Sequence, residues 1–371
     1  MVIEIRPYTE EDVPAVMRFN TRLEEGGGPS RFPTSPTPGW LPPGLHPRLY
    51  QEFYLAIDGD EVRGAYILKH QVFSLAGSLE EIGDFQLPIS EGFVDKRHTL
   101  VGLQLLSDAL KRQPLLYAMG MGGFGEVLPR ILGAWGWSLH PIPFYFMVVH
   151  AAKFLRNISV LRRSRLRRLT LDVLALSGVG WLGTAVLNRK ATNRKFLAEE
   201  VSYEVCSEFS DWADELWERH QHNYILVAVR DCESLNRLYP ASNERFFRLM
   251  ITNQDEIIGW AVVLDTQMAG HKQFGNMRVG TLVDGFAAPE NAMHVVSCAV
   301  DFLRRRNVDL IVSNQCHRSW GDALRRAGFL RGPSNYLFAA SKQLASRLQP
   351  FEATMESIHL TRGDGDGPIH L

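Results

Sequence analysis

The chain has 371 residues, of which 45% are hydrophobic and 22% charged, and its formal net charge is −1. That length suits two domains of about 150 residues plus a connector, and the near-zero charge argues against a polyelectrolyte partner for the molecule as a whole. Four cysteines, Cys206, Cys232, Cys298 and Cys316, have no metal-binding spacing, so a reducing compartment is expected and a disulfide framework is not.

The N-terminus enters a strand directly, with no basic region followed by an apolar core, so no signal peptide is expected. Thr9 and the acids after it open a helix over Asp12–Leu23. Gly26–Pro47 holds three consecutive glycines and seven prolines, and a loop this long inside a domain is usually functional or mobile. A hairpin over Phe53–Phe73 turns at Asp58-Gly59. It is followed by a strand within Glu81–Val94, a helix over His98–Arg112 and a strand over Leu115–Met121. The helix Val127–Trp135 and strand Pro143–Val149 close the first domain, expected to span residues 1–152.

Residues 153–200 form a basic and apolar connector. Eleven Lys/Arg and one acid, Asp172, lie between Lys153 and Lys195, around the apolar run Leu169–Leu187. A helix packed between the domains, a helix lying on an anionic membrane surface and a span are the three readings. A second domain over residues 201–348 repeats the order of the first, and residues 349–371 form a tail whose Asp-Gly-Asp-Gly reads as solvated. Phe53–Leu68 and Phe247–Leu264 are the same strand-turn-strand unit, with Asp-Glu after the turn and a glycine entering the second strand. Leu128–Val149 pairs in the same way with Asp322–Ser341. The offset is domain-sized, far above the roughly 20–50 residues of a solenoid. The fold class is therefore α/β (α+β), with two mixed, mostly antiparallel sheets flanked by helices.

Arg97-His98-Thr99-Leu100-Val101-Gly102 joins a strand to a helix. A basic residue there, followed by unpaired first-turn amides, suits a pyrophosphate, because the helix dipole and free donors favour negative charge. An ordinary helix start with an exposed arginine is the plainer reading of those six residues. Glu91, near the end of the preceding strand, is a candidate base, and Tyr117 on the next strand a candidate acid. A surface glutamate and a core aromatic are their plainer readings. In the second half Asp284 and His317 hold analogous strand ends. Arg230 and Arg237 read as a helix surface or as contacts to a polar acceptor. The glycine-rich Gly120–Gly125 is not a dinucleotide-binding fingerprint.

The order of elements resembles the GNAT superfamily of N-acetyltransferases, present twice. Arg97 matches the basic position and Gly102 the last small position of that family's Arg/Gln-x-x-Gly-x-Gly/Ala loop, with Leu100 where the middle glycine stands. Gly136-Trp137 and Gly328-Phe329 match its helix-end Gly-Phe. Leu132 and Leu324 stand where these enzymes often place a tyrosine acid. The resemblance implies acetyl-CoA or another acyl-CoA as co-substrate, held at Arg97–Gly102, and transfer of its acyl group to an amine. The tandem arrangement is also similar to Fem-type aminoacyltransferases, to mycothiol synthase and to tandem acyltransferases of bacterial surface polysaccharides. A small-molecule or glycan amine, such as an amino sugar or polysaccharide precursor, is the expected acceptor. No nucleic acid is expected. The expected location is the cytoplasm, with residues 153–195 offering contact to the inner face of a membrane. Two other functions fit the same features: an inactive tandem fold acting as a scaffold, and Fem-like transfer from aminoacyl-tRNA.

Overall fold

The computed structural model describes residues 3–28, 30–158 and 200–365. In the first half β1 (Glu4–Pro7) leads to α1 (Val13–Glu25), then β2 (Leu49–Asp58), β3 (Glu61–Leu75) and β4 (Ser78–Ser90). Next come α2 (Val101–Arg112), β5 (Leu116–Met119), α3 (Val127–Ala134), β6 (Ser138–Pro141), β7 (Phe144–Val148) and α4 (Ala151–Asn157). The second half runs β8 (Val201–Cys206), α5 (Asp211–His220), β9 (Leu226–Ala228), α6 (Cys232–Leu238), β10 (Phe246–Asn253), β11 (Glu256–Gln267) and β12 (Arg278–Ala287). It ends with α7 (Ala292–Arg305), β13 (Leu310–Asn314), α8 (Arg318–Arg326), β14 (Leu330–Gly332), β15 (Leu337–Ala340), α9 (Lys342–Arg347), α10 (Phe351–Thr354) and β16 (Ile358–His359).

Two compact units result, but they do not follow the halves of the sequence. The first comprises Met1–His140 with Leu337–Thr354, and the second Pro141–Tyr336 with Met355–Leu371. The first sheet has the order β1-β2-β3-β4-β5-β15-β6 and the second β14-β7-β13-β12-β11-β10-β8. Along these paths each sheet takes in one strand from the other half of the chain. β15 pairs antiparallel with β5 (Ala339 opposite Ala118), and β7 pairs antiparallel with β13 (Phe146 opposite Val312). This departs from the expected boundaries 1–152 and 201–348, because a short aromatic strand carries no mark of which sheet it will join.

In the first unit α1 buries Val16, Phe19 and Leu23 on one side of the sheet, with Phe53, Leu55, Ile67 and Phe32. Their spacing of three and four is one helical face. α2 turns Val101, Leu105, Leu106 and Ala109 to the other side, against Tyr66, Leu68 and Phe85. The β2–β3 hairpin closes on Gly59, whose φ of 62° lies in the left-handed region that glycine enters freely. In the second unit the core is aromatic: Trp260, Trp320, Tyr224 and Phe286 are all fully buried.

Each sheet contains a parallel pair that comes apart. β4 pairs with β5 only at Gly83–Leu116 and Asp84–Tyr117, although β4 continues to Ser90. The cause lies on the other side of β4. The β3–β4 register passes from Ala65–Ile89 to Ile67–Gln86, leaving Leu87 and Pro88 as a bulge opposite Tyr66, with Leu87 at φ 45°. A bulge bends and twists its strand away from its neighbour. In the second sheet β12 and β13 last pair at Leu282–Ser313, and Val283 is the extra residue opposite β11.

Among the described residues no helix is long and apolar enough to cross a membrane. The run Leu169–Leu187 and most of the connector lie outside the described residues.

Candidate functional site

The carboxyl ends of the parallel strands β4 and β5 open on one edge of the first unit, where ligands of open α/β sheets bind. Beyond Ser90 the chain makes two 3-10 turns, Glu91–Phe93 and Lys96–His98, before α2 begins. Gly92 lets the turns pack: a Cβ there would lie 2.6 Å from the carbonyl oxygen of His98. The amides of Leu103 and Gln104 both bond the carbonyl of Leu100, at 3.1 Å. The amides of Val101 and Gly102 precede these first helical bonds, and so belong to the unpaired donors of a helix start.

The sequence-derived residues fall around this turn as follows. The Arg97 side chain is exposed, and its Nε and Nη2 bond the carboxylate of Asp95 at 2.6–3.1 Å. His98 is buried, 4.0 Å from Asp95. The Thr99 hydroxyl donates to the Lys96 carbonyl at 2.6 Å. Leu100 is 67% exposed and so does not fill the turn. The Val101 side chain is core. Gly102 has open space: a Cβ there would meet only Ser90 Cβ, at 3.8 Å. The turn is therefore open at Gly102, beside its first amides.

Glu91 is different from what its position suggested. It is buried, and its two oxygens accept from Arg22 Nε at 2.7 Å and Arg63 Nη1 at 2.8 Å. Burial opposes its ionisation, but the bonds and charges of the two guanidinium groups outweigh burial and hold the carboxyl below the usual glutamate range. A general base is favoured by the reverse shift, so these surroundings do not prepare Glu91 for that role. Tyr117 is 1% exposed, with its ring edge-on to Phe73 at 5.7 Å and 5.9 Å from Phe338. It is a core ring.

A polar row crosses the same sheet. Gln51 (β2) is opposite Lys69 (β3), Lys69 opposite Asp84 (β4), and Asp84 beside Tyr117 (β5). Lys69 and Asp84 are essentially inaccessible, with Nζ 4.0 Å from Oδ2. Gln86 donates to Asp84 at 2.7 Å, and Gln51 donates to Gln86 at 2.7 Å. The Trp40 indole, from the Gly/Pro loop, lies 5.8 Å from Lys69 Nζ. Asp84 is the last residue of β4 paired with β5, so the row ends where the strands part. Sequence reasoning missed it. The available signal was Lys69-His70-Gln71 interrupting an otherwise apolar strand.

The equivalent fork of the second unit is filled. The segment expected to be a solvated tail turns inward, and Asp364 is fully buried. Arg230 lies 3.0 Å from Asp284 and 2.5 Å from Asp364, with all three side chains at 0% exposure. The Tyr239 hydroxyl donates to Asp284 at 2.7 Å, and the Thr361 hydroxyl donates to its other oxygen at 3.0 Å. A Cβ on Gly363 would lie 2.1 Å from the Tyr239 hydroxyl, so only glycine fits. Burial pushes the Asp284 carboxyl up, and Arg230 offsets this only in part. The space left between Leu282, Ser313, Trp320 and Thr361 is about 10 Å³, room for one water at most. His317 caps α8 by accepting from the Ser319 amide at 3.2 Å, and burial lowers its pKa to about 4. Arg230, expected on a surface, is interior because its partner Asp364 arrives from 134 residues away.

No protein-family model and no curated protein matches the sequence. Solved structures do match. One is a conserved protein of Enterococcus faecalis V583 described as a probable N-acyltransferase, 8% identical over 94% of this chain and 74% of that one, with a TM-score of 0.51. Another is Saccharomyces cerevisiae N-myristoyltransferase with bound myristoyl-CoA, 11% identical over 91% of this chain and 77% of that one, also at 0.51. At these identities the likeness is one of fold alone, shared with a protein described as a probable N-acyltransferase and with an N-myristoyltransferase.

Proposed function

We propose that this protein is an acyl-CoA-dependent N-acyltransferase whose first unit holds the donor. The observation that carries this reading is the β4–β5 fork, with the open first turn of α2 at its mouth. The pyrophosphate would be held by the amides of Val101 and Gly102, with Arg97 released from Asp95 to meet it. His98, Thr99 and Leu100 shape that turn. The parted edge of β4 offers unpaired backbone groups to the thioester, as preorganised donors to a developing oxyanion require. In the reaction an ammonium group first loses one proton. The amine nitrogen bonds the thioester carbon, the carbon–sulfur bond breaks, and a proton from nitrogen goes to the departing thiolate. The products are an amide, free CoA thiol and one proton. The fold likeness to proteins described as N-acyltransferases supports the same reading.

Calorimetric titration of acetyl-CoA and longer acyl-CoAs into wild type and Arg97→Ala is the test. Binding by wild type, weakened roughly tenfold in the variant, is expected, since one charge-assisted contact is worth about 1.5–3 kcal/mol and this one is exposed. Absence of binding, or equal binding, removes the donor assignment. Thiol release with a panel of alkylamines, amino sugars and amino acids then separates an enzyme from an inactive scaffold. The pairing of Glu91 with two arginines favours the scaffold reading only if no amine is acylated.

A further inference from the structure

We propose that the first unit carries a second ligand site, at the end of α3, for a small flat aromatic molecule bearing a carboxylate. The site stands independently of the acyl-CoA reading above.

It is a cavity of about 300 Å³ whose walls include Leu110, Pro114, Trp135, Trp137, Lys342 and Gln343, all of the first unit. The way α3 ends builds it. The Trp137 amide donates to the Leu132 carbonyl at 3.0 Å, and the Gly136 amide to that of Gly133 at 2.9 Å. These are the paired bonds of a glycine-capped helix end, and Gly136 takes the left-handed φ of 81° that such a cap requires. The turn puts one tryptophan on each side of Gly136, and both line the cavity. The opposite wall follows β15. The Ser341 hydroxyl donates to the Pro114 carbonyl at 2.8 Å and accepts from the Leu116 amide at 3.2 Å, which fixes the start of α9 beside the amino end of β5. The Lys342 stem then lies across Gly136 and leaves no room for a Cβ there.

The cavity is remote from the donor turn. The fork opens beyond Tyr117, towards the carboxyl end of β5, whereas Pro114 and Ser341 meet at the amino end. Along α2, the rise from Gly102 to Leu110 is roughly 12 Å.

Three observations mark a ligand site. The polar groups on the walls are unused: among the described residues, the Lys342 ammonium has no ion pair, and the Gln343 side-chain amide and both indole N–H groups have no hydrogen-bond partner. The tryptophans are not demanded by the fold. In the second copy the same helix end is made at Gly328, with φ 102° and the Phe329 amide donating to Leu324 at 3.0 Å, and the flanking residues are Ala327 and Phe329. The volume, finally, is that of a small-molecule pocket, roughly 300–1,000 Å³, and not of a packing defect. Indole faces suit a flat ring. Lys342, with the Gln343 amide beside it, suits a carboxylate and disfavours a cation. A fused pair of rings with one acidic arm matches both the size and the charge.

Calorimetric titration of 2-naphthoate, 2-naphthamide and cyclohexanecarboxylate into the full-length protein is the test. Wild type should bind naphthoate best, with the amide and the non-aromatic acid each weaker by roughly fivefold, the size of one partly screened charge-assisted contact or one ring contact. Lys342 is exposed, so its variants should fold. Lys342→Met should abolish the preference for naphthoate over naphthamide, and Lys342→Arg should keep it. Trp135→Ala, which installs the residue of the second copy, should weaken naphthoate and naphthamide alike by about 2- to 10-fold. Arg97→Ala, at the donor turn, should bind naphthoate as wild type does. Absence of naphthoate binding, or equal affinity for acid and amide in wild type, overturns the assignment. So does unchanged binding in Lys342→Met or Trp135→Ala, and a loss in Arg97→Ala would move the ligand to the donor turn.

Discussion

The two units hold the same fork in opposite conditions. In the first, β4 and β5 part beside an open helix start, and the polar row that ends there includes a buried amide without a partner. In the second, β12 and β13 part around Arg230, Asp284, Asp364, Tyr239 and Thr361, which leave space for about one water. One bulge-and-separation geometry therefore serves as a candidate ligand site in one copy and as a closed ionic core in the other. The difference arises from residues far outside the repeat. The second fork is closed by a segment after Leu360.

Acid should separate the units most strongly. His317 and His359 are pushed by burial to about 4 and about 3, from about 6.5 when unfolded. Below about pH 6.5 the unfolded chain takes up protons that the folded chain refuses. Their contribution is therefore complete above that pH and declines toward pH 3–4, at about 1.4 kcal/mol per pH unit for each histidine. Asp284, raised by burial, opposes this, because its protonation favours the folded state as pH falls. Thermal melts between pH 7 and 4 should show the second unit failing first, with a shallower slope in His359→Phe. Identical slopes would remove this account.

Next in size is Arg230→Ala, which strands two buried carboxylates and should cost about 3–5 kcal/mol, read as a lowered midpoint in urea. Glu91→Ala removes the carboxylate that Arg22 and Arg63 share, leaving Arg22 only the Glu61 carboxylate, and should cost about 1–3 kcal/mol. Thiol release should survive it. A rate collapse with an unchanged melt would restore Glu91 as a base. The smallest effect expected is at Gly102→Ala. A Cβ has room there, and alanine favours a helix by roughly 0.5 kcal/mol, so the melt should rise slightly while acyl-CoA binding weakens. Unweakened binding would move the phosphate away from this turn.

Much of this was legible in the sequence because it is local. The repeat, the β2–β3 and β10–β11 hairpins and the helix starts follow from patterns a few residues long. Boundaries shifted by a few residues, as at β4, expected within Glu81–Val94 and found at Ser78–Ser90. What could not be read is what depends on distant partners. Glu91 is an ion-paired anion because Arg22 and Arg63 meet it from 69 and 28 residues away. The Gly363-Asp364 pair is core because Arg230 receives it. Lys69-His70-Gln71 was visible, but only the register aligned Lys69 with Asp84 and Gln51.

The crossing of β7 and β15 has a consequence for how this polypeptide can be made. Severed in its connector, it would yield two fragments, each missing a strand that the other carries. Expressed singly, each should aggregate along the resulting bare edge. Produced together in one cell, they should reconstitute each other, so that the pair behaves as an obligate complementation system and the tether serves mainly to keep the strand donors at high mutual concentration.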